Sequence, residues 1–121
     1  MIVIRAKEVT SYWSNPPHHR ELKVLLSPII HETSKMLGIG MVTIPPGESG
    51  DVHMHRSEQE TWYILSGKGK LDIGGESVKL EPEMIVVAPI GIKHQIINDS
   101  DGVLKALFIF TPAGPEEEFL V

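Results

Sequence analysis

An all-β fold, built as one small sandwich or barrel, is what this sequence predicts, and three observations carry the prediction. Glycines (11) and prolines (9) are spread along the 121 residues and punctuate the chain into short pieces. Apolar and polar residues alternate with period two through most of the second half, as half-buried strands require. No stretch joins the periodicity of an amphipathic helix to good caps. Roughly nine or ten short strands in about 110 residues leave a sandwich or a barrel as the architecture.

Taken in order, residues 1–9 read as a short strand carrying Ile2 and Ile4. Ser11 to Arg20 reads as a loop, because Pro16 and Pro17 remove two amide donors and fix two φ angles. Leu22 to Leu26 is a short apolar strand stopped by Pro28, and Met36 to Ile44 is another, ended by Pro45-Pro46-Gly47. Residues 1–35 therefore supply N-terminal strands and a loop. Trp62 and Ile64 share the inner face of a strand written TWYILSG, with Tyr63 on the other side, where it could meet a second sheet. Leu71 and Ile73 point inward from the next strand, and Gly74-Gly75 suits a two-residue hairpin turn because both positions tolerate positive φ. Val78 and Leu80 point inward on the return strand. Met84 to Ala88 is almost wholly apolar and is expected to be buried on both sides. His94 to Asn98 is a further strand, and in the last one Leu104, Ala106, Phe108 and Phe110 share one face. Glu116 to Glu118 could form a turn of helix after Pro115. Met36, Met41, Met54 and Met84 read as core filler. Nothing divides the chain, so residues 1–121 form one domain.

Composition narrows the function classes. Net charge is −5 with no basic run, which disfavours nucleic acid and anionic membranes as partners, since both demand clustered Lys and Arg. No apolar run approaches the roughly 20 residues of a membrane span. The opening residues lack a signal-peptide core, and there are no cysteines, so a reducing cytoplasm is the expected setting. The missing cysteines also exclude disulfides, thiolate zinc sites and cysteine nucleophiles.

One constellation carries chemistry. His53 and His55 stand two apart, and on a strand positions i and i+2 share a face, so their imidazoles would project side by side. Glu60 has the parity of Trp62 and Ile64 and so points inward, where a carboxylate is costly unless a cation compensates it. His94 has the inward parity of Ile96. Each of these residues alone has an ordinary explanation as a core histidine, a surface pair or a solvated strand end. Together, three imidazoles and one carboxylate make a mixed nitrogen–oxygen site for one divalent ion, manganese, iron, nickel or zinc. If the ion is six-coordinate, two positions remain for a substrate or for oxygen.

The residues that frame these four carry a resemblance. Gly47-x5-His53-x-His55-x4-Glu60-x6-Gly67 resembles the first signature motif of the cupin superfamily, and Pro89-x-Gly91-x2-His94-x3-Asn98 resembles the second. The chain departs from the second motif at its start, where Glu83 stands at the position usually held by a turn glycine. Motif one covers 47–67 and motif two 83–98. The resemblance implies a double-stranded β-helix, the cupin or jelly-roll barrel, with the metal on His53, His55, Glu60 and His94.

Cupins include decarboxylases, dioxygenases, sugar isomerases and non-catalytic sensors, and fold does not choose among them. The leading expectation is an enzyme acting on a small oxygen-rich metabolite, an organic acid or a sugar derivative, by Lewis-acid or dioxygen chemistry. The alternative is a metal-dependent small-molecule binding module without turnover. No catalytic acid or base can be assigned from the sequence. His18, His19 and His31 fall outside both motifs, the first two in a loop that could touch a partner or substrate. A homodimer is expected, since small cupins resemble half of a two-barrel unit and the first strand has no hairpin partner.

Overall fold

A computed structural model describes residues 1–121. Nine strands follow one another: β1 (Tyr12–Trp13), β2 (Glu21–Leu26), β3 (Gly38–Ile44), β4 (Gln59–Ser66), β5 (Gly69–Ile73), β6 (Glu76–Leu80), β7 (Ile85–Ala88), β8 (His94–Ile97) and β9 (Leu104–Thr111). Short 3₁₀ turns at Ala6–Glu8 and Pro115–Phe119 are the only helical pieces. One sheet has the order β1-β2-β3-β9-β4-β7 and the other β6-β5-β8. All strand pairs are antiparallel, and most of the six-stranded sheet joins strands distant in sequence, as in a jelly roll.

The core lies between the sheets and follows the period-two pattern. Alternate residues of β9, Leu104, Ala106, Phe108 and Phe110, are buried against Trp62 and Ile64 of β4, Val42 and Ile44 of β3, and Leu71 of β5. Gly74 and Gly75 close the β5–β6 hairpin with φ of 55° and 88°, the left-handed pair that the right-handed strand twist requires. The 3₁₀ turn after Pro115 packs on the barrel end through Glu116, which is fully buried. Its carboxylate accepts hydrogen bonds from Ser27 Oγ at 2.6 Å and from the Gly114 N–H at 2.7 Å.

Several expectations need correction. Residues 1–5 form no strand; the 3₁₀ turn that follows is held by Lys23 Nζ, which donates to the Ala6 carbonyl. The loop from Ser11 to Arg20 contains the two-residue strand β1, paired with β2. β7 is not buried on both sides. Val86 and Ala88 face inward, while the outer face of the sheet is uncovered and leaves Ile85 66% exposed. Val78 sits on the edge strand β6, where the opposing sheet covers Leu80 but leaves Val78 exposed. Met41 is buried, but Met36 and Met54 lie exposed in loops and fill no core.

Glu83, at the motif position where glycine is usual, has φ of +69°. The backbone makes the same left-handed turn with a side chain present. The geometry is anchored from both sides, because the Glu83 N–H donates to the Ile64 carbonyl and the Ile64 N–H to the Met84 carbonyl.

Candidate metal centre

His53 and His55 do not lie on a regular strand. They belong to the segment between β3 and β4, which runs beside β8 as an irregular fourth strand of the smaller sheet. Backbone bonds fasten it along its length. The Gly47 N–H donates to the Asn98 carbonyl, the Gly50 N–H to the Ile96 carbonyl, and His53 and His94 exchange N–H···O bonds of 3.1 and 2.8 Å. Farther on, the Gly91 N–H donates to the His55 carbonyl. Asn98 ties the same end through its side chain, donating to the carbonyls of Ile44 and Gly102 and accepting from Ser100. This pairing, not strand alternation, carries both imidazoles to His94.

Glu60 opens β4 on the opposite sheet with the predicted parity and is buried. The four side chains converge from both sheets, and their ligand atoms lie within 4.8 Å of one another. Glu60 Oε1 is 2.9 Å from His94 Nε2, 3.3 Å from His55 Nε2 and 3.5 Å from His53 Nε2. The rings are held by aromatic edges: Trp62 packs on His94 with centroids 5.1 Å apart, and Phe110 on His55 at 4.9 Å.

The hydrogen-bond chemistry shows what this cluster needs. His53 Nδ1 faces the Asp51 carbonyl at 3.0 Å, and His94 Nδ1 faces the Ile92 carbonyl at 3.1 Å. A carbonyl only accepts, so each Nδ1 carries the hydrogen and each neutral ring presents a lone pair at Nε2. Those two Nε2 atoms are 3.0 Å apart, and both point at a carboxylate oxygen that also only accepts. His55 Nε2 is buried with no hydrogen-bond partner. Acceptors facing acceptors are repulsive unless a metal ion, or in its absence a proton, lies among them. Ligands about 2.1 Å from a common centre and at right angles would lie about 3 Å apart, close to the shorter contacts seen. A set of three histidines and one glutamate suits one divalent metal ion, with Nδ1–H bonds to carbonyls orienting two of its imidazoles.

Electrostatics agree. Burial by itself would raise the Glu60 pKa, but in the absence of a metal the imidazoles of His53, His55 and His94, when they carry a proton toward it, outweigh burial and lower the value to about 2. For His53, burial lowers the pKa, yet Glu60 and the Asp51 carbonyl together raise it above its ordinary value.

A cavity of about 220 Å³ opens beside the cluster. Leu22, Val42, Ile96 and Phe108 form apolar walls, and the exposed side chains of Asp51, Met54 and Glu118 show that it reaches solvent. Sequence reasoning missed Arg20, which also lines this cavity and is 7% exposed. Burial lowers its pKa while Asp51 opposes the shift. No motif flagged Arg20; its only signal was position, at the end of a proline-rich loop leading into β2. Of the other histidines, His19 stacks on Trp13 and faces the Ser14 carbonyl. His18 lies 3.4 Å from Ser49 Oγ, and His31 accepts from the Ser27 N–H. None of the three joins the cluster.

Comparison with known proteins follows the same lines. A family model described as "Cupin domain" matches residues 40–110. Among similar proteins, CurC, a polyketide synthase protein of Streptomyces cyaneus, is 26% identical over 93% of this chain and 72% of its own. An oxalate-binding protein of Thermotoga maritima is 27% identical over 89% of this chain and 92% of its own. An acireductone dioxygenase of Sclerotinia sclerotiorum is 28% identical over 58% of this chain and 48% of its own. Among solved structures, a predicted oxalate decarboxylase of Thermotoga maritima superposes with a TM-score of 0.83 at 26% identity, covering 92% of this chain and 99% of that one. KdgF of a Halomonas species superposes with a TM-score of 0.82 at 18% identity, covering 97% of this chain and 98% of that one, and shares the fold. No helix is long and apolar enough to cross a membrane.

Proposed function

The chain belongs to the cupin family, and from that premise we propose that it is a metal-dependent enzyme acting on a small oxygen-rich metabolite, an organic acid or a sugar derivative. One divalent ion, manganese, iron, nickel or zinc, is held by His53, His55, Glu60 and His94. The observation that carries this reading is the set of facing acceptor atoms, His55 Nε2 unpartnered among them, beside a cavity that reaches solvent. A bound ion would supply Lewis-acid polarisation of substrate oxygens or, with iron, activation of dioxygen.

The protein's own residues divide the remaining work. Asp51 and Ile92 carbonyls hold two rings in the ligating tautomer. Trp62 and Phe110 limit ring rotation. Leu22, Val42, Ile96 and Phe108 exclude water from one side of the substrate space, which strengthens every polar contact inside. Apart from the ligand Glu60, the carboxylates at the cavity available to hold or move a proton are Asp51 and Glu118.

The Thermotoga oxalate-binding relative keeps a second reading in view, a binding module without turnover. Elemental analysis decides the metal, and a substrate panel on the loaded protein separates the two readings. Purified protein is expected to hold about one divalent ion per chain, and the double variant His53→Ala, His55→Ala none. Full occupancy in that variant would overturn the ligand assignment.

The cysteine-free composition suits a reducing cytoplasm. A homodimer is also proposed, supported by exposed Ile85 and Val87 on the free edge strand β7. Light scattering at micromolar concentration should exceed the 13.4 kDa of one chain; a mass at that value would refute it.

A further inference from the structure

The cavity holds a second buried charge that the metal site does not use. Arg20 enters it from the start of the β2 strand, and its backbone N–H donates to Ser14 Oγ. Its guanidinium has five N–H donors. Nη1 donates to the His18 carbonyl at 3.0 Å and to Ser14 Oγ at 3.2 Å, and Nη2 reaches Asp51 Oδ1 at 3.4 Å. The Nε hydrogen and one on Nη2 find no protein acceptor. The single ion-pair partner is weak compensation, since the Asp51 side chain is 54% exposed. These spare donors are not sealed from solvent; they belong to a residue that lines the cavity, where water or a ligand can accept from them.

Placement adds to the argument. The same Asp51 oxygen lies 3.8 Å from His53 Nδ1, so the guanidinium and the ligand cluster are neighbours across one carboxylate. Arg20 also sits 6.0 Å from the centroid of the Phe119 ring, which the C-terminal turn folds over the cavity. Gly50 lies directly against the guanidinium: a Cβ there would be in ordinary contact with Arg20 Nε at 3.6 Å and slightly tight on Ile96 at 3.3 Å. Once Glu60 is matched by a divalent ion, positive charge is in surplus inside, and only Asp51 and Glu118 offset it from the rim.

We propose that Arg20 is the anion anchor of this cavity and that its ligand is a small organic acid, with oxygens toward the cluster of three histidines and Glu60 and a carboxylate on the guanidinium. This rests on the reading of the site as a metal-dependent small-molecule site, and it selects the acid over the neutral sugar. The planar fork of Arg matches a carboxylate with two parallel hydrogen bonds. The cavity equals roughly seven water volumes, which admits an acid of about seven to ten non-hydrogen atoms.

The test is isothermal titration of metal-loaded protein with malonate, malate and 2-oxoglutarate, and with neutral malamide as the uncharged counterpart of malate. It is repeated on Arg20→Gln, Arg20→Lys and Asp51→Asn, with metal content and circular dichroism measured on each preparation. At least one acid is expected to bind, malamide about tenfold or more weaker than malate, and Arg20→Gln to lose about tenfold or more in acid affinity at unchanged metal content. Arg20→Lys should fall between, and Asp51→Asn, which removes a competing carboxylate at the surface, should bind acids more tightly. If Arg20→Gln does not fold, Arg20→Lys and Asp51→Asn decide. Acid affinity unchanged in both, malamide binding as well as malate, or no acid binding to a metal-replete protein would each overturn the proposal while leaving the metal reading intact. A wild-type protein without metal overturns the metal reading by itself, and discrimination against malamide that still depends on Arg20 would then support the anchor alone.

Discussion

Gly40 sits on β3 directly opposite Phe108 on β9, and the ring of Phe108 lies over its Cα. A Cβ at position 40 would fall 2.0 Å from Phe108 Cζ and 2.4 Å from Cε2, inside the ring itself. Gly40→Ala therefore forces Phe108 to move. The ring is buried among the core residues and borders the cavity it lines. Overpacking of this kind costs about 1–3 kcal/mol. With an unfolding entropy near 2.1 cal/mol/K per residue, a loss of about 2 kcal/mol lowers the midpoint of a chain this long by roughly 8 °C. Compensation should be specific: Phe108→Leu shortens the side chain that clashes, so it should cost much less in the Gly40→Ala background than alone. The expected coupling is about 1 kcal/mol or more. Urea and thermal denaturation of the four proteins in the cycle, read by circular dichroism, measure it. If Gly40→Ala stays within about 0.5 kcal/mol of wild type, or the two costs simply add, the account of this contact is wrong.

Two further outcomes follow from other parts of the molecule. In metal-free protein, Glu60 is held down to about 2 from 4.5, so its contribution is present above about pH 4.5 and is lost as pH falls toward 2, at most on the order of 3 kcal/mol. His53 is raised from 6.5, so its contribution is full below that value and is lost as pH rises through the shifted one. Chelator-treated protein should thus melt highest between about pH 4.5 and 6.5 and lower on both sides; a melting temperature that keeps rising from pH 6 to 9 would contradict this. At Glu83, where φ is +69°, replacement by glycine relieves left-handed strain but frees the unfolded chain. A net gain of about 0.5 kcal/mol is expected, with Glu83→Ala near neutral. Urea midpoints for the two variants that fail to separate would show that the turn holds no such strain.

The strands of the second half were legible because they obey one local rule. Leu104, Ala106, Phe108 and Phe110 alternate along β9, as do Glu60, Trp62 and Ile64 along β4, and alternation in the chain becomes burial whenever one sheet face is covered. Gly74-Gly75 was legible for a similar reason, since positive φ at two successive positions is a property of the residues themselves. The failures lie where sequence carries no record of the neighbour. β7 has the composition of a strand buried on both faces, but whether anything covers the outer face is a fact of tertiary packing, and here Ile85 and Val87 on that face are exposed. Val78 fails for the same reason on β6.

The four residues of the cluster could be picked from sequence because imidazoles and an inward carboxylate, at that spacing inside a recognisable frame, need a cation. What the sequence misread was the means. His53 and His55 share no regular strand; they reach His94 because backbone bonds tie residues 47–55 to β8. Those bonds join backbone groups that every residue type but proline possesses, so no side-chain pattern announces them. Arg20 shows the limit most clearly. As a residue type after a proline-rich loop it reads as a solvated surface charge, the ordinary state of arginine. Only the closure of the barrel, which brings Ser14, His18, Asp51 and Phe119 around it, buries that charge and turns it toward the cavity. Residue chemistry and strand alternation are local and were readable along the chain. Burial, edges and convergence depend on contacts between distant segments, and these exist only in the folded molecule.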